Sequence, residues 1–461
     1  MSIADPGRNA WRVERASRLS VLVDGCNYYS QLENALKLAT RSITIVGWDF
    51  DGSIRLCPHH EDCSPLGDFL RELVDARSGL TVRILVWSGA LVHTPGATVP
   101  LLWGDKWEQC DRIVVKLDRK HPLHASHHQK IVVIDDSLGF VGGMDLTVRR
   151  WDTCAHEETN EFRCHPDGTP HNPIHDVQML VSGPAAAALG ALTRERWRIA
   201  AGEELSASPP REMWIDGLGE DFRDVSVAIA RTAPACNGCP AIEEIAEMTA
   251  DLISAARRYI YIEAQYFTAR IVRRVLARSL SGREGPDIVV IATRAPHGHV
   301  ERLIMNKNRD RLLRYLRRVD KHNRLRMFYP VVAGTRSVCD LQIHSKVIIA
   351  DDRWLRVGSA NLNNRSMALD TECDVLLEAA SDTERSAIAS IRDRLAGEHL
   401  GVDPQRVSEA VRKEKSLIRA IEELNGSGRG LRPFPELDLE GPVRPVVGTG
   451  LLDPGAESRM A

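Results

Sequence analysis

Two histidine–lysine pairs, set in matching phrases, are the residues of this chain best suited to chemistry. His128, Lys130 and Asp135 stand in SHHQKIVVIDDSLGFVGGMDL, and His344, Lys346 and Asp351 stand in QIHSKVIIADDRWLRVGSANL. Each phrase reads histidine, one residue, lysine, four residues, aspartate. A Gly142-Gly143 pair follows the first and Gly358-Ser359 the second, with Asp145 and Asn361 two positions further on. One such phrase arises by chance; two with matched downstream text do not. Two imidazoles supply a nucleophile and a proton donor near neutral pH. Two ammonium groups stabilise crowded phosphoryl oxygens in a transition state. The set suits cleavage of a phosphodiester through a covalent intermediate, and each histidine then needs a carboxylate to fix its tautomer.

The elements that must position these groups are strands. Ile131, Val132, Val133 and Ile134 form a continuous β-branched run, the pattern of a strand buried on both faces, and VIIA after Lys346 repeats it. Residues two apart share a side of a strand, so each histidine points with its lysine. Glycines at 142, 143 and 358 are expected to let backbone N–H groups approach a bound anion, which makes Gly142, Gly143, Gly358 and Ser359 candidate phosphate-binding positions. The two histidines lie 216 positions apart, and ITIVGWDF at 43 resembles IYIEAQYF at 260, an offset of 217. A third pair is TVRILVW near 84 and DIVVIAT near 290. Self-similarity at a nearly constant offset means duplication of one unit. Strands alternate with helix-like stretches in each copy. The expected class is therefore α/β: two fused, duplicated α/β/α sandwich units with mixed sheets and one active site at their pseudo-twofold interface. The expected organisation is a first unit over 1–205, a turn-rich connector over 206–224, a second unit over 225–430 and an irregular Pro/Gly-rich tail over 431–461.

Composition narrows the function classes. The 461 residues exceed one ordinary core. Lysine plus arginine number 60 against 63 acidic residues, so no global basic field points to nucleic acid. No apolar stretch approaches a membrane span, and the N-terminus lacks the apolar core of a secretory signal. The expected location is cytoplasmic or peripheral to a membrane, with secretion by another route left open. Ten scattered cysteines suit a reducing compartment. Cys57-Pro-His-His-Glu-Asp-Cys63 and Cys236-Asn-Gly-Cys239 have ligand-like spacing, but they read better as loop thiols or one incidental disulfide than as zinc ligands. No metal and no cofactor are expected.

The longer text resembles the phospholipase D superfamily, in particular the branch with plant, animal and some bacterial phospholipases D. The matching segments are HHQKIVVIDD, GGMDLTVRRWDTCAH, IHDVQMLVSGPAA with RERW, IYIEAQYF, and IHSKVIIADDRWLRVGSANLNNRSMALDTE. They span both halves, from about residue 40 to 380. The resemblance implies a phosphohistidine mechanism, with His128 as nucleophile and His344 as general acid, then as base toward water or an acceptor alcohol. It implies that Asp176 orients the first histidine and Glu372 the second. Asp135 and Asp351 complete the catalytic motifs but are expected to act structurally, near the motif loops. Gln265 and Asn361 are expected to line the phosphate pocket, and Glu263 to be a local salt-bridge partner. The calcium- and phosphoinositide-binding accessory domains of plant and animal enzymes are not expected in these 461 residues, so membrane recognition is expected from the catalytic body. The stretch 299–326 combines Leu312, Leu316 and Val319 with Arg309, Arg311, Arg314, Arg317, Arg318 and Lys321. It reads as a basic amphipathic helix, either lying on anionic lipid or packed by its apolar stripe, with packing favoured. Trp103 and Trp107 are candidate interfacial anchors.

The expected partners are a glycerophospholipid at a membrane surface and a water or alcohol acceptor, the protein acting as a monomer without nucleic acid. Three other readings compete. Cardiolipin-synthase-like phosphatidyl transfer uses the same residues. A nucleic-acid phosphodiesterase is disfavoured by the balanced charge and by two motifs in one chain. A non-enzymatic lipid binder is disfavoured because every expected catalytic residue is retained.

Overall fold

The computed structural model describes residues 2–89, 110–122, 124–209, 211–236, 238–294, 299–334, 338–445 and 453. Trp103 and Trp107 lie outside these residues. The first half runs β1 (Arg12–Val23), α1 (Gly25–Lys37), β2 (Ser42–Gly47), α2 (Leu66–Ala76), β3 (Thr81–Trp87), β4 (Ile113–Asp118), β5 (Ile131–Ile134), β6 (Leu138–Gly142), β7 (Ile174–His175), β8 (Val177–Ser182) and α3 (Pro184–Ala201). The second runs β9 (Phe222–Ala233), β10 (Ile242–Glu243), α4 (Glu244–Ala255), β11 (Tyr259–Ala264), α5 (Arg270–Ser281), β12 (Asp287–Ala292), α6 (His299–Val319), β13 (Leu325–Ala333), β14 (Val338–Asp340) and β15 (Gln342–Ile343). It continues with β16 (Lys346–Ala350), β17 (Trp354–Gly358), α7 (Asn364–Ala368), β18 (Glu372–Glu378), α8 (Asp382–Leu400), α9 (Pro404–Glu414), α10 (Leu417–Leu424) and β19 (Gly430–Pro433).

The two halves share one strand order. Hydrogen-bonded neighbours run β4-β3-β2-β5-β6-β8-β1 in the first. The second repeats it as β13-β12-β11-β16-β17-β18-β9. In each, three strands are parallel and the rest antiparallel, so both sheets are mixed. Long β1 and β9 pair antiparallel from Arg12 with Ile229 to Leu19 with Phe222, joining the half-sheets into one continuous structure.

Alternation explains the layers. Ile131 and Val133 on β5 meet Val347 and Ile349 on β16 in one core between the facing sheets. Their neighbours Val132 and Ile134 face outward under α1 and α2, while Ile348 and Ala350 face outward under α4 and α5. Helices α3 and α8 to α10 pack into the shared core. Each fully buried aliphatic side chain contributes about 1.5–3 kcal/mol relative to exposure, so both faces of the motif strands are firmly fixed.

Two segments differ from their sequence reading. Phe222, Arg223 and Asp224 of the expected connector already belong to β9, because their partners on β1 are in register. The rest of the connector is packed: Met213 and Ile215 are buried with the first half's outer core. The tail is not irregular at its start, since Gly430–Pro433 pairs antiparallel with β13. Beyond it, tail carbonyls at 438–444 accept hydrogen bonds from Arg311, Arg314 and Arg318 of α6. That basic face is therefore covered by the chain itself, while Leu312 and Leu316 are buried beneath the helix. Among the described residues no helix is long and apolar enough to cross a membrane.

Candidate active site

Each motif histidine is delivered by a short stretch of parallel pairing between the halves. His127 bridges Thr371, Thr371 N–H donates to Ser126 O at 2.9 Å, and His128 N–H donates to Thr371 O at 2.9 Å. The counterpart is the two-residue ladder of β7 with β15, after which His344 N–H donates to His175 O at 2.8 Å. Both pairings place the histidine beside an acidic residue of the opposite half. His128 Nδ1 lies 3.0 Å from Glu372 Oε2, and His344 Nδ1 lies 2.6 Å from Asp176 Oδ2. The assignment of Asp176 to His128 and of Glu372 to His344 is thus reversed. The carboxylates cross the pseudo-twofold because the short ladders join unlike halves. With each Nδ1 committed, each Nε2 is left for substrate.

The lysines sit beside their own histidines. Lys130 Nζ donates to His128 O at 3.0 Å and lies 3.1 Å from Asp145 Oδ2. Asp145 also accepts from Trp48 N–H at 2.8 Å. Lys346 Nζ donates to His344 O and lies 3.2 Å from His344 Nδ1. In the second half, the position matching Asp145 is Asn361, which is buried with its Oδ1 unpartnered. Gln265 is half-buried just past β11, whose last residue Ala264 pairs with Lys346. Arg150, which the sequence reading passed over, adds a third positive charge that acts on His344, Asp176 and Lys346. Its Nε is buried and unpartnered.

The glycines do something other than expected. Gly143 N–H donates to Val177 O at 3.2 Å and Ser359 N–H to Cys373 O at 3.1 Å, so neither N–H is free for an anion. A Cβ at Gly143 would collide with Asp176 Oδ1, and one at Gly358 with Asp374 Oδ1 and Cα. A Cβ at Gly142 would meet Gln178 and Val177 O. These positions make room for carboxylates and neighbouring strands. Ser359 holds one directly, its hydroxyl donating to Glu372 Oε2 at 2.5 Å.

Asp135 and Asp351 lie at the far ends of β5 and β16 and do not enter the site. The Asp135 carboxylate accepts from Thr40, Arg41 and Ser42 N–H at 2.8–2.9 Å and pairs with Arg211. Asp351 does the same with Arg257, Arg258 and Tyr259 N–H at 2.6–3.0 Å. Both adopt left-handed φ, 50° and 57°, at the turn after the strand. Although they complete the catalytic motifs, both carboxylates brace the turns behind the motif strands and are not part of the catalytic set.

Burial and charge set the protonation states. Burial, reinforced by Lys130 and Lys346, holds His128 well below the usual imidazole value. Burial with Lys346, Arg150 and Lys130 does the same to His344. Burial pushes Glu372 up to about 7 and Lys346 down to about 7. Lys130, Lys346 and Arg150 each act to keep the His344 imidazole neutral. A phosphodiester bound among these cations would offset them and raise the proton affinity of His344.

Glu263, expected to be a salt-bridge partner, accepts from His175, His399, Tyr261 and Ser345 at 2.6–2.9 Å and is fully buried. It belongs to a histidine–carboxylate cluster beneath the site that also holds Asp24, His156 and Glu398. No sequence spacing announced it, since its members range from residue 24 to 399. Cys57 N–H donates to Cys63 Sγ at 3.3 Å, Cys236 bridges Cys239, and all ten cysteines are free.

Comparisons with known proteins agree with this architecture. The family model described as Phospholipase D matches residues 35–213, and the one described as Cardiolipin synthase, PLD-like domain, matches residues 249–391. Phospholipase D A of Dictyostelium discoideum is 24% identical over 84% of this chain and 36% of its own length. Phospholipase D alpha 4 of Arabidopsis thaliana is 22% identical over 81% of this chain and 63% of its own. The chain thus spans between about a third and two thirds of these two relatives. A solved phosphatidylserine synthase of Haemophilus influenzae Rd KW20 superposes with a TM-score of 0.59 at 13% identity, over 90% of this chain and 98% of that one. It shares the fold. With both halves matched by related families and two histidine–lysine pairs meeting across a pseudo-twofold, the chain belongs to the phospholipase D superfamily.

Proposed function

We propose that the chain is a phospholipase D, cleaving the distal phosphodiester of glycerophospholipids to phosphatidic acid and a head-group alcohol. The observation that carries this reading is the crossed pair of histidines, each held at Nδ1 by a buried carboxylate of the other half. In the first step His128 Nε2 attacks phosphorus and the bond to the head-group oxygen breaks. His344 gives its Nε2 proton to the departing alkoxide. In the second step water attacks phosphorus, His344 takes a proton from it, and the phosphorus–nitrogen bond breaks to release phosphatidate. An alcohol in place of water gives transphosphatidylation. Burial keeps both imidazoles neutral, and His128 suits the nucleophile role because it is the more exposed, 17% against 7% for His344. Lys130, Lys346 and Arg150 balance the charge on the phosphoryl oxygens. Both histidines come from one chain, which fits a monomeric enzyme at a membrane surface.

The test is release of phosphatidate and free head group from phospholipid vesicles. Wild type is expected to turn over, and His128→Ala and His344→Ala to lose turnover; normal activity in either variant contradicts the mechanism. Phosphatidyl transfer of the cardiolipin-synthase kind is the second reading, favoured by the match of residues 249–391. Product analysis with phosphatidylglycerol, with and without added glycerol, separates the two.

A further inference from the structure

Below the catalytic histidines, four side chains converge from distant parts of the chain. His156 Nε2 lies 3.0 Å from Glu398 Oε1 and 3.4 Å from Asp24 Oδ2. His175 Nδ1 lies 2.7 Å from Glu398 Oε1 and 3.1 Å from Asp24 Oδ1. The four ligand atoms all fall within 4.8 Å of one another. Asp24 is 1% exposed, yet neither of its carboxylate oxygens accepts a hydrogen bond. Its backbone is also strained, with φ 66° and ψ 159°, a conformation favoured by glycine. The strain carries a buried carboxylate without hydrogen bonds into the cluster.

We propose that Asp24, His156, His175 and Glu398 bind one divalent first-row transition-metal ion, zinc by the chemistry of the set. Two imidazole nitrogens and two carboxylate oxygens are a four-coordinate donor set for zinc. Bonds of about 2.0–2.1 Å to a tetrahedral ion place neighbouring donors roughly 3.3 Å apart. The histidine–carboxylate separations, 2.7 to 3.4 Å with Asp24 approached through one oxygen by each imidazole, lie around that value. The far nitrogens are arranged as metal-bound histidines require. His156 Nδ1 lies 2.9 Å from Asp152 Oδ2, and His175 Nε2 lies 2.9 Å from Glu263 Oε2. A carboxylate behind each histidine fixes its tautomer and raises its basicity toward a metal. The outer carboxylates are themselves occupied: Asp152 by Arg163 at 3.0 Å, and Glu263 by Tyr261, Ser345 and His399. Glu263 is thereby an outer partner, and Asp24 is the carboxylate that faces both imidazoles without accepting a hydrogen bond.

The ion would act as a clamp. Asp24, His156 and His175 come from the first half, and Glu398 comes from α8 of the second. The His175 carbonyl receives His344 N–H, and the next residue, Asp176, holds the His344 imidazole. A metal here would fix the interface that aligns the two motifs without touching substrate. Protons on both imidazoles are the competing occupants.

The test is the metal content of the full-length protein, purified without chelator from zinc-supplemented culture, together with anomalous diffraction at the zinc edge. About one zinc per chain, an anomalous peak among the four side chains, and a thermal midpoint that falls on chelation and recovers with zinc alone are expected. Asp24→Asn should lower bound zinc by more than about tenfold, and the Cys57→Ser/Cys63→Ser pair should leave it unchanged. If Asp24→Asn does not fold, the wild-type peak decides. Wild-type zinc far below one per chain with no response of the midpoint to added zinc overturns the proposal, as does a peak at the cysteines instead.

Discussion

The His344 imidazole rests on Asp176 at 2.6 Å, a contact that spans 168 residues and crosses from one half of the molecule to the other. His128 makes the reciprocal contact with Glu372 at 3.0 Å. Neither half therefore contains both a motif histidine and the carboxylate that holds it. Duplication produced two strand frameworks, and the crossing made one active site of them.

The two carboxylates should fail differently when neutralised. Asp176→Asn and Glu372→Gln are each expected to lower kcat by roughly 10³–10⁴-fold with the fold retained, because the amide favours the wrong imidazole tautomer. With a phosphatidyl ester of an acidic phenol, the leaving group needs no proton. Asp176→Asn should then recover much of its first-step rate, while Glu372→Gln should not. Equal recovery in both would remove the division of labour between His344 and His128.

Asp135 and Asp351 should matter to stability and hardly to chemistry. Each carboxylate accepts three backbone N–H groups. Asn at either position leaves a donor facing donors, at a cost of about 1–3 kcal/mol measured by denaturant unfolding. The kcat per folded molecule should stay within a few-fold of wild type. A thousandfold loss in a folded Asp135→Asn protein would return that residue to the chemistry.

Stability should carry the mark of the buried Glu372. Its carboxyl is pushed up to about 7 by burial, so the native state keeps a proton that the unfolded chain loses. The stabilisation is full below the unfolded carboxyl value, about 4.3, and is lost as pH rises through about 7. Lys346, brought down to about 7 by burial, works in the opposite sense and loses its contribution as pH falls through that value. Glu372→Gln cancels only the first effect. The thermal midpoint of the variant minus that of wild type should therefore increase between about pH 5 and pH 8. A flat difference would mean that the carboxyl does not titrate in that range.

Arg150 should report on the charge around His344. Its loss removes a cation that depresses His344, so Arg150→Gln should raise the His344 value in a histidine NMR titration. The same change should weaken the phosphodiester complex, lowering kcat/KM by roughly ten- to a hundredfold. Unchanged kcat/KM would place Arg150 outside the substrate's reach.

Much of this was legible in the chain. The β-branched runs after Lys130 and Lys346 announced strands buried on both faces, and the constant offset announced the duplicated sheets. The crossing of Asp176 and Glu372 was not legible. It depends on a two-residue ladder, Gln342 with Ile174 and Ile343 with His175, too short to leave a periodic pattern. The glycines misled because a residue without Cβ serves an anion or a neighbouring carboxylate equally well, and only the placement of Asp176 decides. The Asp24–His156–His175–Glu398 cluster was invisible because burial, not spacing, gathers it. The tail strand at Gly430–Pro433 was hidden by a composition rich in glycine and proline.

The central claim, that His128 carries the phosphatidyl group while His344 moves the proton, is tested most directly by trapping the intermediate. Enzyme mixed with phospholipid labelled at phosphorus, quenched in alkali within one turnover and digested, should carry the label on the peptide containing His128. Label on the His344 peptide, or full turnover with no labelled peptide at any time, would contradict it.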